Sequence, residues 1–219
     1  MIDYYREHWY LLPALMALAA LTVLVWVKAL HKSAKTNSTR AAAAARIDEQ
    51  KAALLKYSAW ADGDISAENI TEKQLFVGLA LSLQKQLQYE KDQLAAFAAL
   101  LEDARQLYAL YFALEDEPNK LSQFFKQYGK PLTTEALDAM SRFADRDAAD
   151  IFAKMYAAYD RDDDGSSLIP AQIAEWDAVF ADAIDMPSVY VRAADCVRRN
   201  APKLDERCEI MQNRRNGRG

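Results

Sequence analysis

The sequence predicts an all-α protein: an N-terminal single transmembrane helix followed by a multi-helix globular domain. Three observations carry this. Trp9 to Val27 is an unbroken run of 19 uncharged residues. Everything after it is polar, acidic and rich in helical spacing. The 219 residues include six glycines and few β-branched runs, which argues against a sheet protein.

The apolar run comes first. At 1.5 Å per residue it spans about 28 Å, the thickness of a bilayer's hydrocarbon core. Trp9 and Tyr10 stand at one edge and Trp26 near the other, where amphipathic rings favour the headgroup region. Lys28 can extend its ammonium outward along its apolar stem, and Pro13 lies near the first turn, where a missing N–H does least harm. This makes residues 9–30 a span with the lipid bilayer as its partner. Residues 1–8 hold Asp3, Arg6 and Glu7, with no positive bias, whereas Lys28, Lys32, Lys35, Arg40 and Arg46 follow the run. Positive flanks stay cytoplasmic. The expectation is a single-pass protein of the cell inner membrane, N-terminus outside, with the chain from about residue 31 onward in the cytoplasm. The alternative is export through a cleaved signal peptide, for which Val27 and Ala29 have suitable spacing. Against it stand the missing basic n-region and the length of the run. Cys196 and Cys208 imply no disulfide framework and do not decide the compartment.

Residues 31–46 begin with HKSAKTNSTR, a basic juxtamembrane linker, and Ala41 to Arg46 then opens a helix running to about Trp60. Asp62, Gly63 and Asp64 mark a turn. Thr71 with Gln74 forms a capping box for a helix over Glu72 to Leu94, where Leu75, Val77, Leu79, Leu81, Leu83 and Leu87 predict burial of a broad face. Leu101 to Leu114 is the next helix, broken by Pro118 and Asn119. A short one follows at Leu121 to Gln127, ended by Gly129 and Pro131. Thr133 is expected to cap a helix over Thr134 to Phe143. Asp147 to Tyr159 carries Ile151, Phe152, Met155 and Tyr156 on one face and stops at the acidic loop Asp160 to Gly165. Pro170 starts a helix through Trp176 and Phe180 to Ile184, and a last one begins near Ser188. Residues 47–203 thus form one acidic all-α domain, large enough for a core. Residues 204–219 form a basic tail, expected to be disordered from Gln212.

Charge divides the chain. Residues 47–191 hold 26 acidic and 13 basic side chains, while residues 192–219 hold 8 basic and 4 acidic. The body therefore repels nucleic acid, which excludes direct binding there and suits a basic protein partner. In the tail, Arg198, Arg199, Arg214, Arg215 and Arg218 could contact phosphate, but no aromatic residues are interleaved with them, and a solvated end is the preferred reading.

Catalytic chemistry is sparse. The two histidines, His8 and His31, flank the apolar run. The body therefore has no Ser-His-Asp or Cys-His arrangement and lacks the usual zinc ligand. It has no Gly-rich phosphate loop. Neighbouring carboxylates such as Glu102 and Asp103 read as solvated surface. The expectation is a non-enzyme without cofactors.

One loop has metal-ligand spacing. Asp160, Asp162, Asp164 and Gly165 match positions one, three, five and six of an EF-hand loop, which needs alternating oxygen ligands and a glycine at six. The closing glutamate is missing, since position twelve is Ala171, and position eight is Ser167. An acidic turn between helices is the preferred reading. A weak calcium-responsive adaptor is the alternative.

The run LYALYFALEDEPNKLSQFFKQYGKPLTTEALDAMSRFADRDAADIFAKMYAAYD, from Leu107, resembles the helical domain of the DNA-mimic protein family, found in many uncharacterised bacterial proteins. That family shows a Tyr-rich helix, an acidic residue with an Asn-Gly-Gly turn, then an aromatic residue and Gln-Phe-Phe. Here Tyr108 and Tyr111 sit on the first helix, Glu115 precedes the turn, and Leu121, Gln123, Phe124 and Phe125 hold the last part. Gly129 follows, Ala136 to Phe143 matches the next helix, and Tyr190 to Lys203 resembles the closing one. The resemblance spans about 107–203. Asn119 and Lys120 replace the two glycines, so the turn is rebuilt, around Pro118. The resemblance implies a helical fold without catalytic residues and, in one branch, an acidic surface that imitates duplex DNA and occupies a DNA-binding protein. Two functional expectations follow: a membrane-anchored, non-catalytic interaction or scaffold protein, and a DNA-mimic-like regulator of a basic DNA-binding protein.

Overall fold

A computed structural model describes residues 40–63, 69–114, 120–162 and 168–200. The span expected over residues 9–30, the loop residues Asp164 and Gly165, Glu115 and the tail 204–219 lie outside the described residues. Among the described residues there is no strand, and no helix is long and apolar enough to cross a membrane.

The helices in chain order are α1 (40–61), α2 (Glu72–Gln88), α3 (Gln93–Ala98), α4 (Glu102–Leu114), α5 (Leu121–Gln127), α6 (Leu132–Phe143), α7 (Arg146–Asp162), α8 (Pro170–Ala183) and α9 (186–200). Contacts divide the chain after Glu49, and the compact unit begins at Gln50. Within it α4 is central. Leu107, Leu110, Tyr111 and Leu114 are all buried, and α4 packs most extensively on α6 and then on α2. α7 lies on α6, and α8 on α7.

The start of α2 follows its local code. Thr71 Oγ1 accepts from the Gln74 N–H at 3.3 Å, and Gln74 Oε1 accepts from the Thr71 N–H at 3.2 Å. The broad buried face is present as well: Leu75 through Ala80 are buried without a gap. Gly78 lies within that stretch for a steric reason. A Cβ there would stand 2.3 Å from Tyr57 Cβ and 2.7 Å from the Ala53 carbonyl oxygen, so α1 and α2 cross at a distance that only glycine permits.

Four boundaries differ from the sequence expectation. The helix expected over Glu72 to Leu94 stops at Gln88, and α3 begins afresh with Asp92, whose Oδ1 accepts from the Ala95 N–H at 3.0 Å. Arg105 donates to the Ala98 and Leu100 carbonyls at 3.3 and 2.9 Å, satisfying groups at and beyond the end of α3. Thr133 is not the cap of α6. Pro131 holds that position and Thr133 is buried in the first turn, because a proline needs no N–H partner at a helix start. α7 runs on to Asp162 rather than yielding to the acidic residues at Asp160. α9 starts at 186, two residues early, where the Ser188 hydroxyl donates to Asp185 Oδ2 at 2.6 Å.

Candidate interaction surface and aromatic pocket

The aromatic residues singled out by sequence are brought together. Tyr108 on α4 packs edge-on against Phe112 with ring centroids 4.9 Å apart, and Phe112 packs against Tyr111 at 5.3 Å and Tyr128 at 5.2 Å. Tyr128 meets Phe124 at 5.5 Å, Phe124 meets Phe125 at 5.4 Å, and Phe125 meets Phe152 at 5.0 Å. Such edge and offset contacts add to the burial of the rings. Tyr111, Phe124 and Phe125 are buried, Tyr108 and Gln123 are half-buried, and burial pushes the Tyr108 phenol up. The Tyr111 hydroxyl accepts from Gln50 Nε2 at 2.9 Å. These motif residues therefore form core rather than an exposed contact set. The linking rings Phe112 and Tyr128 escaped the sequence reading, although Phe112 lies four residues after Tyr108, the spacing at which helical side chains meet.

α5 is held in place by a distant residue. Asp177 on α8 accepts from the Ser122 backbone N–H at 2.8 Å and from the Ser122 hydroxyl at 2.6 Å. It caps a helix whose own cap residue, Lys120, makes no side-chain cap bond. Where α5 ends, a pocket of about 220 Å³ opens between Phe125, Tyr128, Gly129, Lys130, Thr133, Tyr156 and Tyr159. Phe125 and Tyr159 stack there at 5.3 Å with ring planes 14° apart. The Tyr156 hydroxyl pairs with Thr134 Oγ1 at 3.1 Å, whereas the buried Tyr159 hydroxyl has no hydrogen-bond partner among the described residues. Burial, and then the negative field of Asp177, push the Tyr159 phenol up.

Several arginines of the helical unit pair within the fold, Arg192 and Arg198 of its last helix included. Arg105 meets Glu135 at 2.7 Å and Arg192 meets Asp145 at 2.6 Å. Arg142 meets Asp103 and also donates to Gln106 Oε1 at 2.9 Å. Asn200 Nδ2 donates to Asp103 Oδ2 at 2.5 Å and to the Cys196 carbonyl at 3.0 Å, closing a polar cluster over the buried Cys196. Burial, with the Asp103 charge adding to it, pushes the Cys196 thiol up against the pull of Arg142. Arg198 lies 3.5 Å from Glu72 and 3.3 Å from Asp195. Glu90, Asp138, Asp147, Glu175 and Asp182 are exposed and make no ion pair among the described residues. Four of them lie on α6, α7 and α8, and Glu175 and Asp182 lie two turns apart on α8.

Of the loop residues, Asp160 and Asp162 belong to the last turns of α7, and Asp164 lies outside the described residues. Among the described residues no group of three or more His, Cys, Asp or Glu side chains is placed to hold a metal ion.

Residues 98–200 match the family model described as DMP19-like protein, the stretch from the end of α3 to the end of α9. This agrees with the resemblance carried by Tyr108, Tyr111, Gln123, Phe124 and Phe125, and includes all of them. No curated protein and no solved structure matches the chain.

Proposed function

We propose that the helical unit from Gln50 to residue 200 is a non-catalytic interaction module. It takes a basic protein partner on its acidic surface and is held at the inner membrane by residues 9–30. The observation that carries the partner reading is the division of charge. Arg105, Arg142 and Arg192 pair with Glu135, Asp103 and Asp145, while Asp138, Asp147, Glu175 and Asp182 remain exposed without ion pairs among the described residues. Uncompensated carboxylates on adjoining helices steer a cationic partner and discourage an anionic one. A narrower reading makes that partner a DNA-binding protein, with this surface standing in for phosphates. The DMP19-like match over residues 98–200 supports it. The anchor rests on the 19 uncharged residues from Trp9 to Val27 and their basic C-terminal flank.

The test uses the full chain solubilised from membranes, immobilised, and exposed to lysate at low salt. Partners released by a salt gradient and by added duplex DNA are expected under mimicry. Release by salt alone keeps the basic partner and rejects mimicry, and capture insensitive to salt overturns the acidic-surface reading. Replacing Asp138, Asp147, Glu175 and Asp182 together by lysine is expected to weaken low-salt capture by about tenfold or more. Anchoring predicts a chain that stays in the membrane pellet through high salt and alkaline carbonate; recovery in the wash refutes it.

A further inference from the structure

The geometry points to a conformational device in which the Asp177 carboxylate has two seats, the observed one on Ser122 and a second on the Tyr159 hydroxyl, and passage to the second releases the start of α5. Three helices meet at this carboxylate. Asp177 on α8 engages the Ser122 N–H through Oδ1 at 2.8 Å and the Ser122 hydroxyl through Oδ2 at 2.6 Å. Phe125, one turn after Ser122 on α5, stacks on the Tyr159 ring of α7 with centroids 5.3 Å apart and planes 14° apart. That stack holds the Tyr159 ring beside the same stretch of α5. The Tyr159 hydroxyl is buried and has no hydrogen-bond partner among the described residues. A buried donor in that condition is rare and costly, so a rearrangement that brings it an acceptor is favoured to that extent. The charge of Asp177 acts on this hydroxyl, which marks its carboxylate as the acceptor.

The bonds rank the two seats. On Ser122 the carboxylate takes two charge-assisted bonds, one of them to a backbone N–H at a helix start whose cap residue, Lys120, makes no side-chain cap bond. On Tyr159 it takes one. The Tyr159 seat is therefore the minor one, lower in population by about ten- to a hundredfold, the worth of one charged hydrogen bond. α8 is anchored in a way that permits the exchange. Phe180 is its buried residue, set against Phe152 of α7 at 6.4 Å, while Ile173, Trp176 and Asp177 are half-buried. A small rocking of α8 about Phe180 moves Asp177, one turn away, without uncovering a core. Helix shifts of about 1–2 Å are an ordinary passage between two packed states. The minor seat frees the start of α5 and carries Glu175 and Asp182 along with α8.

The test is a reversal of sign, read as the thermal midpoint of the full chain solubilised from membranes. In the native background Tyr159→Phe removes only an unpaired hydroxyl, so the midpoint is expected to hold or to rise by about 2 °C. In a Ser122→Ala background the carboxylate loses one of its two bonds on α5 and turns to Tyr159. There the same Tyr159→Phe change is expected to lower the midpoint by about 2–4 °C. Adding Asp177→Ala to that background removes the acceptor, and the reversal is expected to vanish. A second readout needs no destabilised variant. The Ser122 amide proton exchanges through the minor seat, so Tyr159→Phe is expected to slow its exchange about tenfold, beyond any change in the amides of α4. A Tyr159→Phe shift of the same sign with and without Ser122→Ala overturns the proposal, and a Tyr159→Phe chain less stable than the native one shows a hydroxyl already satisfied and does the same. So does a reversal that survives Asp177→Ala, or an unchanged exchange rate at Ser122.

Discussion

Cys196 shows how burial governs a single side chain. It is fully buried, and its thiol is pushed up by burial with Asp103 adding to it, so its reactive thiolate is suppressed at neutral pH. In a Cys208→Ser background, labelling of native protein by a maleimide is expected to be slow until the chain unfolds; rapid native labelling would contradict the buried placement. The same shift has a sign in stability. A folded-state pKa above the unfolded value means that the folded chain keeps its proton longer. This contribution is therefore complete below the ordinary thiol range, about 8.5, and is lost as pH rises beyond it. Alkaline titration of stability should show that loss, and Cys196→Ala should flatten it. Gly78 makes the complementary point through space. Gly78→Ala would gain about 1 kcal/mol of helix propensity. Its Cβ would also meet the Ala53 backbone oxygen at 2.7 Å, and backbone does not give way as a flexible side chain does. A net loss of about 1–3 kcal/mol is expected in chemical denaturation. An unchanged midpoint would show that α1 yields at that crossing.

At the scale of elements, α5 depends on Asp177. Asp177→Ala leaves the buried Ser122 hydroxyl and its backbone N–H without their acceptor, and is expected to cost about 2 kcal/mol. Asp177→Asn should recover part of that loss, and equal stability of native and alanine chains would reject the cap. This contact also marks where sequence reading ends. Thr71 and Gln74 are three residues apart and their capping box was legible, as were the α5 range Leu121–Gln127 and Pro170 opening α8. The Asp177–Ser122 pair spans 55 residues, and neither residue carries a local mark of the other. The end of α2 was hidden for another reason. Gln88 to Lys91 holds no glycine or proline, and the break shows only through Asp92 capping a new helix. At α6 two signals competed: Pro131 was read as a stop and Thr133 as a cap, whereas the proline takes the cap position and the threonine is buried. In the candidate site, Tyr108, Phe124 and Phe125 were legible through the family motif. The pocket was not, because Phe125, Thr133 and Tyr159 meet only once α5, α6 and α7 have packed.

For the whole molecule, the exposed carboxylates and the buried rings perform separate tasks. The surface charges are open to screening by salt, whereas the core beneath them rests on apolar burial. Salt that releases a basic partner should therefore leave the unfolding midpoint nearly unchanged, and a large parallel shift would show that the surface charges also govern the fold. The ring contacts from Tyr108 through Phe112, Tyr128, Phe124 and Phe125 to Phe152 lie at centroid distances of 4.9 to 5.5 Å. Chromophores this close, in fixed orientations, share their excited states, so the chain carries an optical reporter of its own packing. Near-ultraviolet circular dichroism should be strong and should collapse together with the helical signal in one cooperative transition. Loss of the aromatic signal while helicity persists would instead reveal helices that outlive their packed core.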